Sequence, residues 1–395
     1  MIRKITLGLL ALIALGALGF FTLAPGIVER DMNRVDTANA IEVSPEALAL
    51  HNSLTIVDLH SDTLLWKRDM LEPADRGHMD VPRLARGNVA LQIFSSVTKT
   101  PADQNYHSND DDSDRITLLA IGQLQPLRTW FSLVGRSLWH GRKLDQAVEE
   151  SEGQLMAVRA SEDVAALLAE RQGEPPVMGA MLSVEGLHNL EGDIANLPRL
   201  YDAGVRMAGL AHFFDNEVAG SMHGVNKGGL TTMGRDVVRQ MEDMGMIVDI
   251  AHCSHICVAE VLRIARRPVV SSHGGVQATC DENRNLTNDE IRGIAATGGV
   301  IGIGYWDGAV CETSPRAIAS AMRHVRDLVG IEYLALGSDF DGTVTTPFDT
   351  SGIAQVTQAL MDEGFTGEEI RAAMGENAMR VIAAGLEPLQ ESGQS

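Results

Sequence analysis

Several short apolar runs in this sequence end in side chains that can bind cations. Asp58-Leu59-His60-Ser61-Asp62 closes one run, and Glu185, His212, His252, His273 and Asp339 close five others. Imidazole nitrogens and carboxylate oxygens are the ligands that zinc or a similar divalent ion takes. His60 and Asp62 are two residues apart on an extended chain, so both face one side of a sheet and can share a cation. Asp58 has the same parity and is expected to hydrogen-bond a ligand histidine from behind. With Glu185, His252 and His273 the set offers three imidazoles and two carboxylates, enough for two ions sharing a carboxylate. A lone H-x-D belongs more often to a turn or an ion pair; the series carries the signal. The lysines are Lys4, Lys67, Lys99, Lys143 and Lys227, and none ends the third or fourth run. A carbamoylated lysine is therefore not the bridge, Glu185 is the bridge candidate, and His212 is left over for substrate.

The elements that position these groups follow from the pattern around them. Eight β-rich runs recur: Leu54–His60, Val89–Ser95, Val177–Glu185, Val205–His212, Met246–His252, Val269–His273, Val300–Gly304 and Tyr333–Asp339. Most are nearly continuous in Val, Ile, Leu, Ala and Gly, as parallel strands covered on both faces are. Helical patterns over Thr232–Met244, His255–Ala265, Asp289–Ala296 and Pro315–Val329 separate the later runs. Strand and helix alternating eight times predicts an α/β fold, a (β/α)8 TIM barrel, whose chemistry sits at the C-terminal ends of the strands. The charged and imidazole residues fall at those ends. The interval 99–176 is too long for a simple crossover and reads as an insertion. It carries an acidic run, Asp110 to Asp114, read as a solvated loop, and a Trp/Leu-rich helical stretch, Ile116–Trp139. The tail Ile353–Leu386 reads as two closing helices.

Ile5 to Val28 is 24 residues without a charge, preceded by Arg3 and Lys4. As a helix it would span about 36 Å, enough to cross a bilayer. Basic residues before it place the N-terminus in the cytoplasm and the rest of the chain outside, periplasmic if the source is bacterial. A cleaved signal peptide is the competing reading, with Ala38-Asn39-Ala40 as its only cleavage-like site. The expected organisation is an anchor or signal segment over 1–30, a linker over 31–50 and a barrel over 51–395. The chain has 395 residues with 32 Lys+Arg against 53 Asp+Glu, a net charge of −21, which argues against a nucleic-acid partner. Its four cysteines, Cys253, Cys257, Cys280 and Cys311, form no CxxC pair, so a zinc knuckle is not expected. Buried thiols or, after export, one or two disulfides are the remaining readings.

Taken in order, these motifs resemble the membrane dipeptidase family, also called renal dipeptidases, zinc metallopeptidases of the amidohydrolase type. The likeness runs from about Ile56 to Gly385. It rests on Asp58-Leu59-His60-Ser61-Asp62, Ser183-Val184-Glu185-Gly186, Gly209-Leu210-Ala211-His212, Asp249-Ile250-Ala251-His252, Ser271-Ser272-His273, Arg284-Asn285 and Gly337-Ser338-Asp339-Phe340-Asp341-Gly342. The resemblance implies two zinc ions, one on His60 and Asp62, the other on His252 and His273, with Glu185 between them. It also implies His212 as the substrate histidine, Arg284 as the carboxylate-binding arginine, Asp339 as the catalytic aspartate, a dipeptide substrate and a homodimer. Asp341 reads as a helix cap in its turn, and His188, His255, Cys253 and Cys257 read as packing residues. Two other functions share the same residues. One is an amidohydrolase acting on an N-acyl amino acid, lactone or β-lactam. The other is an inert membrane-tethered binding protein.

Overall fold

The computed structural model describes residues 2–173 and 176–389. Eight strands form its centre: β1 Ile56–Ser61, β2 Val89–Val97, β3 Met178–Glu185, β4 Val205–Gly209, β5 Ile247–Asp249, β6 Val270–Ser271, β7 Val300–Ile303 and β8 Leu334–Leu336. Each pairs in parallel with the next, and β8 returns to β1 through Leu336 and Asp58, so the sheet closes. This is the expected (β/α)8 barrel. A further strand, Leu155–Ala157, pairs with the first residues of β3.

The strands alternate between two apolar clusters, and that alternation aims the site. Along β3, Leu182 and Val184 pack with the surrounding helices while Met181 belongs to a second cluster with Leu91, Ile93, Met207 and Ile247. Glu185 falls on the face of Met181, and Asp249 on the face of Ile247, because side chains repeat every second residue. Apolar residues thus fill that face until the strand ends, where ionisable groups take over. The predicted runs overshoot the ladder. β4, β5, β6 and β8 stop at Gly209, Asp249, Ser271 and Leu336, so His212, His252, His273 and Asp339 lie on the turns just beyond. His252 and Asp339 adopt left-handed φ of 64° and 61°, which carries the chain off the strand.

Helices Thr232–Met244 and Pro315–Val329 start and stop where the sequence places them. Each has a hydroxyl cap, Thr231 on Gly234 N and Ser314 on Ala317 N. The stretch Ile116–Trp139 differs from expectation. It divides into a helix Arg115–Gly122, a short 3-10 turn Leu127–Trp130 and a helix Leu133–Glu150. Leu124 takes φ 56° and Pro126 has no N–H to continue a helix, so periodicity alone misses the break. In the tail, Ala354–Asp362 is followed by Gly367–Arg371, which runs through a wide turn at Ala372–Glu376 into Asn377–Gly385. A Cβ at Gly375 would stand 1.8 Å from the Thr55 carbonyl oxygen, so only glycine lets this helix close against β1.

At the N-terminus, helix α1 (Ile2–Thr22) buries none of its residues, while the next, α2 (Ala24–Met32), is docked on the barrel. Glu29 is 1% exposed. Its carboxylate takes Arg68 on one oxygen and Arg76 Nε at 2.7 Å on the other. Beyond it, Asn33 accepts from Thr343 N at 2.9 Å, and Arg34–Val35 pairs with Thr345–Thr346.

In the insertion, His140 is buried with its Nδ1 2.8 Å from Ser96 Oγ. Burial first, then Lys143 and Arg136, lowers its pKa to about 3. The unfolded chain regains a proton near pH 6.5 that the folded chain refuses, so His140 contributes stability above pH 6.5 that is lost as pH falls towards 3. In His140→Asn, which keeps a nitrogen near the Nδ1 position, urea midpoints between pH 6.5 and 4 should fall less steeply than in the parent. The expected difference is about 1.4 kcal/mol per pH unit. Equal slopes would refute it.

Candidate metal centre

The predicted ligands converge at the C-terminal mouth of the barrel. Glu185 Oε1 lies 3.0 Å from His252 Nε2, 3.2 Å from His273 Nε2 and 3.6 Å from His60 Nε2. The His252 and His273 Nε2 atoms are 2.9 Å apart, and His60 Nε2 is 3.5 Å from Asp62 Oδ1. Three imidazoles thus crowd one carboxylate oxygen, and Asp62 stands beside His60. His212 Nε2 stands 3.3 Å from the other oxygen of Glu185, and Asp339 Oδ1 is 3.9 Å from His60 Nε2.

All of these groups are buried, and several of their polar atoms find no partner. Both nitrogens of His60, Asp62 Oδ1, Glu185 Oε2 and Nδ1 of His212 and His252 lack hydrogen-bond partners. Orphaned buried polar atoms are costly, and their convergence fits cations. The electrostatics agree. Burial disfavours charge on His60, yet Asp62, Glu185 and Asp339 outweigh it and push its pKa up to about 10. Burial, reinforced by Glu185, raises Asp62 to about 6. Asp339 is held well above the usual carboxylate range, first by burial and then by Asp62 and Glu185. Burial also works against charge on Glu185, but His212 and His60 hold it well below its ordinary value. The donor set of three imidazoles and two carboxylates suits zinc.

Two serine clasps position His273 and the segment carrying Asp339. Asp249 on β5 accepts from Ser272 N at 2.9 Å and Ser272 Oγ at 2.6 Å, and Ser272 Oγ is 2.9 Å from His273 Nδ1. Asp58 on β1 does the same to Ser338, accepting from its N at 2.8 Å and its Oγ at 2.5 Å. Asp58 therefore does not orient a ligand histidine, as parity suggested; it ties β1 to the segment carrying Asp339. The strand register shifts between Asp58 and Ser61, which breaks the parity argument. Asp249, not singled out from the sequence, acts through Ser272 on His273.

Asp341 is not a helix cap. It accepts from Thr63 Oγ1 at 2.7 Å and His78 N at 2.6 Å and pairs with Arg68, forming a buried hub beneath the mouth. His188 bonds Thr98 Oγ1 at 2.9 Å, His255 pairs with Glu290 at 2.7 Å, and Cys253 and Cys257 are buried free thiols, all packing roles. Cys280 and Cys311 form a disulfide. In the acidic run, Asp114 caps Arg115–Gly122 through Ile116 N and pairs with Arg136 at 2.7 Å; Asp111 and Asp112 face solvent.

A cavity of about 350 Å³ opens above the centre, reaching Asp62, Glu185, His212, His252, Arg284 and Asp339. Arg284 lies over the Trp306 ring at 4.4 Å and gives one hydrogen bond to His273 O at 3.3 Å, leaving Nε without a partner. Tyr106, from the insertion, leans over the same mouth and accepts from Trp306 Nε1 at 3.0 Å. Nothing in the sequence around Tyr106 marks it, because its role depends on where the insertion folds.

A family model described as membrane dipeptidase, peptidase family M19, matches residues 45–392. Dipeptidase aclJ of Aspergillus oryzae is 28% identical over 348 residues, covering 83% of this chain and 77% of its own. Dipeptidase verJ of Clonostachys rogersoniana is 27% identical over 353 residues, 85% of this chain and 86% of its own. Among solved structures, a metallopeptidase from Rhodobacter sphaeroides, liganded with a phosphinate mimic of the dipeptide L-Ala-D-Ala, superposes with TM-score 0.68. It has 20% identity over 84% of this chain and 99% of its own. An amidohydrolase from Pseudomonas aeruginosa superposes with TM-score 0.65 at 16% identity, over 86% and 99%. These two likenesses speak for the fold.

Proposed function

This chain belongs to the membrane dipeptidase family, peptidase family M19, and on that premise we propose that it is a binuclear zinc dipeptidase held at a membrane. The observation that carries this reading is one oxygen of Glu185, Oε1, lying within 3.6 Å of the Nε2 atoms of His60, His252 and His273, with the other oxygen 3.3 Å from His212. His60 and Asp62 would hold one ion, His252 and His273 the other, and Glu185 both. Bound zinc supplies acidification of a water and polarisation of the scissile carbonyl.

The protein's own groups divide the remaining work. Arg284 presents a flat guanidinium fork, steadied on Trp306, to the terminal carboxylate of the substrate. That clamp selects the peptide bond next to a free C-terminus, the only peptide bond a dipeptide has. His212 is kept neutral mainly by burial, although Glu185 opposes this, so its imidazole donates a hydrogen bond to the oxyanion that develops in the transition state. Asp339 takes a proton from the attacking water and gives one to the leaving amine.

The N-terminal helix is read as an uncleaved anchor. Cleavage after Ala40 would remove Glu29 and leave the buried Arg68 with one carboxylate partner, Asp341, and the Met79 carbonyl. The Cys280–Cys311 disulfide suits an extracytoplasmic barrel.

The test is metal content per chain of the full-length protein in detergent, followed by a dipeptide panel that includes L-D pairs. About two zinc ions and cleavage of dipeptides are expected, with N-acetylated and lactone substrates inert. In Arg284→Met, KM should rise about 100-fold with a smaller change in kcat. Metal without any dipeptide cleavage would overturn the reading.

A further inference from the structure

The cavity above the metal centre has a second wall that the barrel does not build. Phe20 at the end of α1, and Pro25, Val28 and Met32 of α2, line it together with Trp66 and Ile116. Phe20, Pro25, Val28 and Met32 precede position 45, where the family match begins. Their placement is set by specific bonds. Glu29 is buried between Arg68 and Arg76, Asn33 holds Thr343 N, and Arg34 and Val35 extend a strand pair onto Thr345 and Thr346. Phe20 reaches the insertion, close to where a Cβ on Gly122 would lie.

The wall is apolar and lines the same cavity as Arg284. It is completed by Trp66, which follows β1, and Ile116, which follows β2, whereas Arg284 follows β6. A dipeptide with its carboxylate on Arg284 and its peptide bond over Glu185 would carry its N-terminal residue away from Arg284 into the rest of the cavity, whose lining includes this wall. The wall also begins in the last turn of α1, a helix of bilayer length and composition with no buried residue, so the groove opens beside the membrane surface.

We propose that the segment Phe20–Met32 is part of the substrate site, not only a tether, and selects dipeptides whose N-terminal residue carries a long apolar side chain. Such amphiphilic dipeptides partition to the bilayer surface and reach the groove from there. The inference rests on the dipeptidase reading for its chemistry, but the wall can be measured without turnover.

The experiment uses full-length, zinc-loaded enzyme in phosphatidylcholine nanodiscs and two substrates, Ala-Ala and 2-aminodecanoyl-alanine. The parent should favour the long-chain dipeptide in kcat/KM. Val28→Asp should lower the ratio of long-chain to Ala-Ala kcat/KM about tenfold or more, and Phe20→Ala, a milder change at the other end of the wall, should lower it in the same direction. An unchanged ratio in both variants, with Ala-Ala still cleaved by the parent, overturns the inference and leaves the dipeptidase reading standing. If the parent cleaves neither substrate, that reading fails. Calorimetric binding of 2-aminodecanoyl-alanine then decides the wall alone: about tenfold weaker binding in Val28→Asp supports it, and equal binding overturns it.

Discussion

Asp339→Asn should lower kcat for dipeptides about a thousandfold while leaving bound zinc at the parental level. Asparagine preserves the shape of the side chain and its place beside His60, but it cannot accept and return a proton. The position is tightly prepared for a carboxylate. Its left-handed φ of 61° turns the side chain over the mouth, Ser338 before it is clasped by Asp58, and Gly342 leaves room where a Cβ would stand 2.0 Å from Oδ1. Because the defect lies in proton transfer, KM should move far less than kcat. Product release by amino-acid analysis, with metal counted on the same sample, checks this. Zinc lost along with activity would make Asp339 a ligand, and near-parental turnover would remove it from the reaction.

Glu185→Gln should be more severe, lowering bound zinc from about two ions to one or none and abolishing detectable hydrolysis. Changing a residue that merely supports a ligand typically weakens metal binding 10- to 100-fold, so losing the shared carboxylate should exceed about 100-fold. An amide can offer one oxygen to one ion but carries no charge to offset two. The variant also leaves His252, His273 and His60 crowded around a neutral group, so added zinc should raise its thermal midpoint much less than that of the parent. Titration of apo-protein with zinc, followed by calorimetry and unfolding, separates these effects. Two ions retained with kcat within tenfold of the parent would show that the ions do not share this residue.

The barrel was legible because it is written in local pattern. Buried parallel strands need continuous apolar runs, and the ends of those runs carry His60, Glu185, His252 and His273, so both the strand count and the convergence of these residues could be read from the letters. What stayed hidden depends on partners far along the chain. Asp58 looked like a companion of His60 by parity, but its partner is Ser338, 280 residues away, and a register shift turns it aside. Asp341 stands in a turn that resembles a cap, yet the Arg68 and His78 segment claims it. The break before Pro126 was present in the letters and was outweighed by helical periodicity on both sides. Residues 24–36 gave no local sign of docking, since Glu29 becomes structural only once Arg68 and Arg76 are brought to it. Tyr106 is similar: its hydroxyl matters only because Trp306 lies beneath.

The Cys280–Cys311 disulfide joins the loop that carries Arg284 to the loop after Trp306, on which that guanidinium rests. None of the proposed zinc ligands is a sulfur atom. The disulfide bridge closes a loop of 31 residues and so staples the segment bearing Arg284 to the one following its aromatic support. Under a reducing agent the Arg284 segment loses that staple, while the groups gathered around Glu185, which contain no sulfur, depend on no such bond.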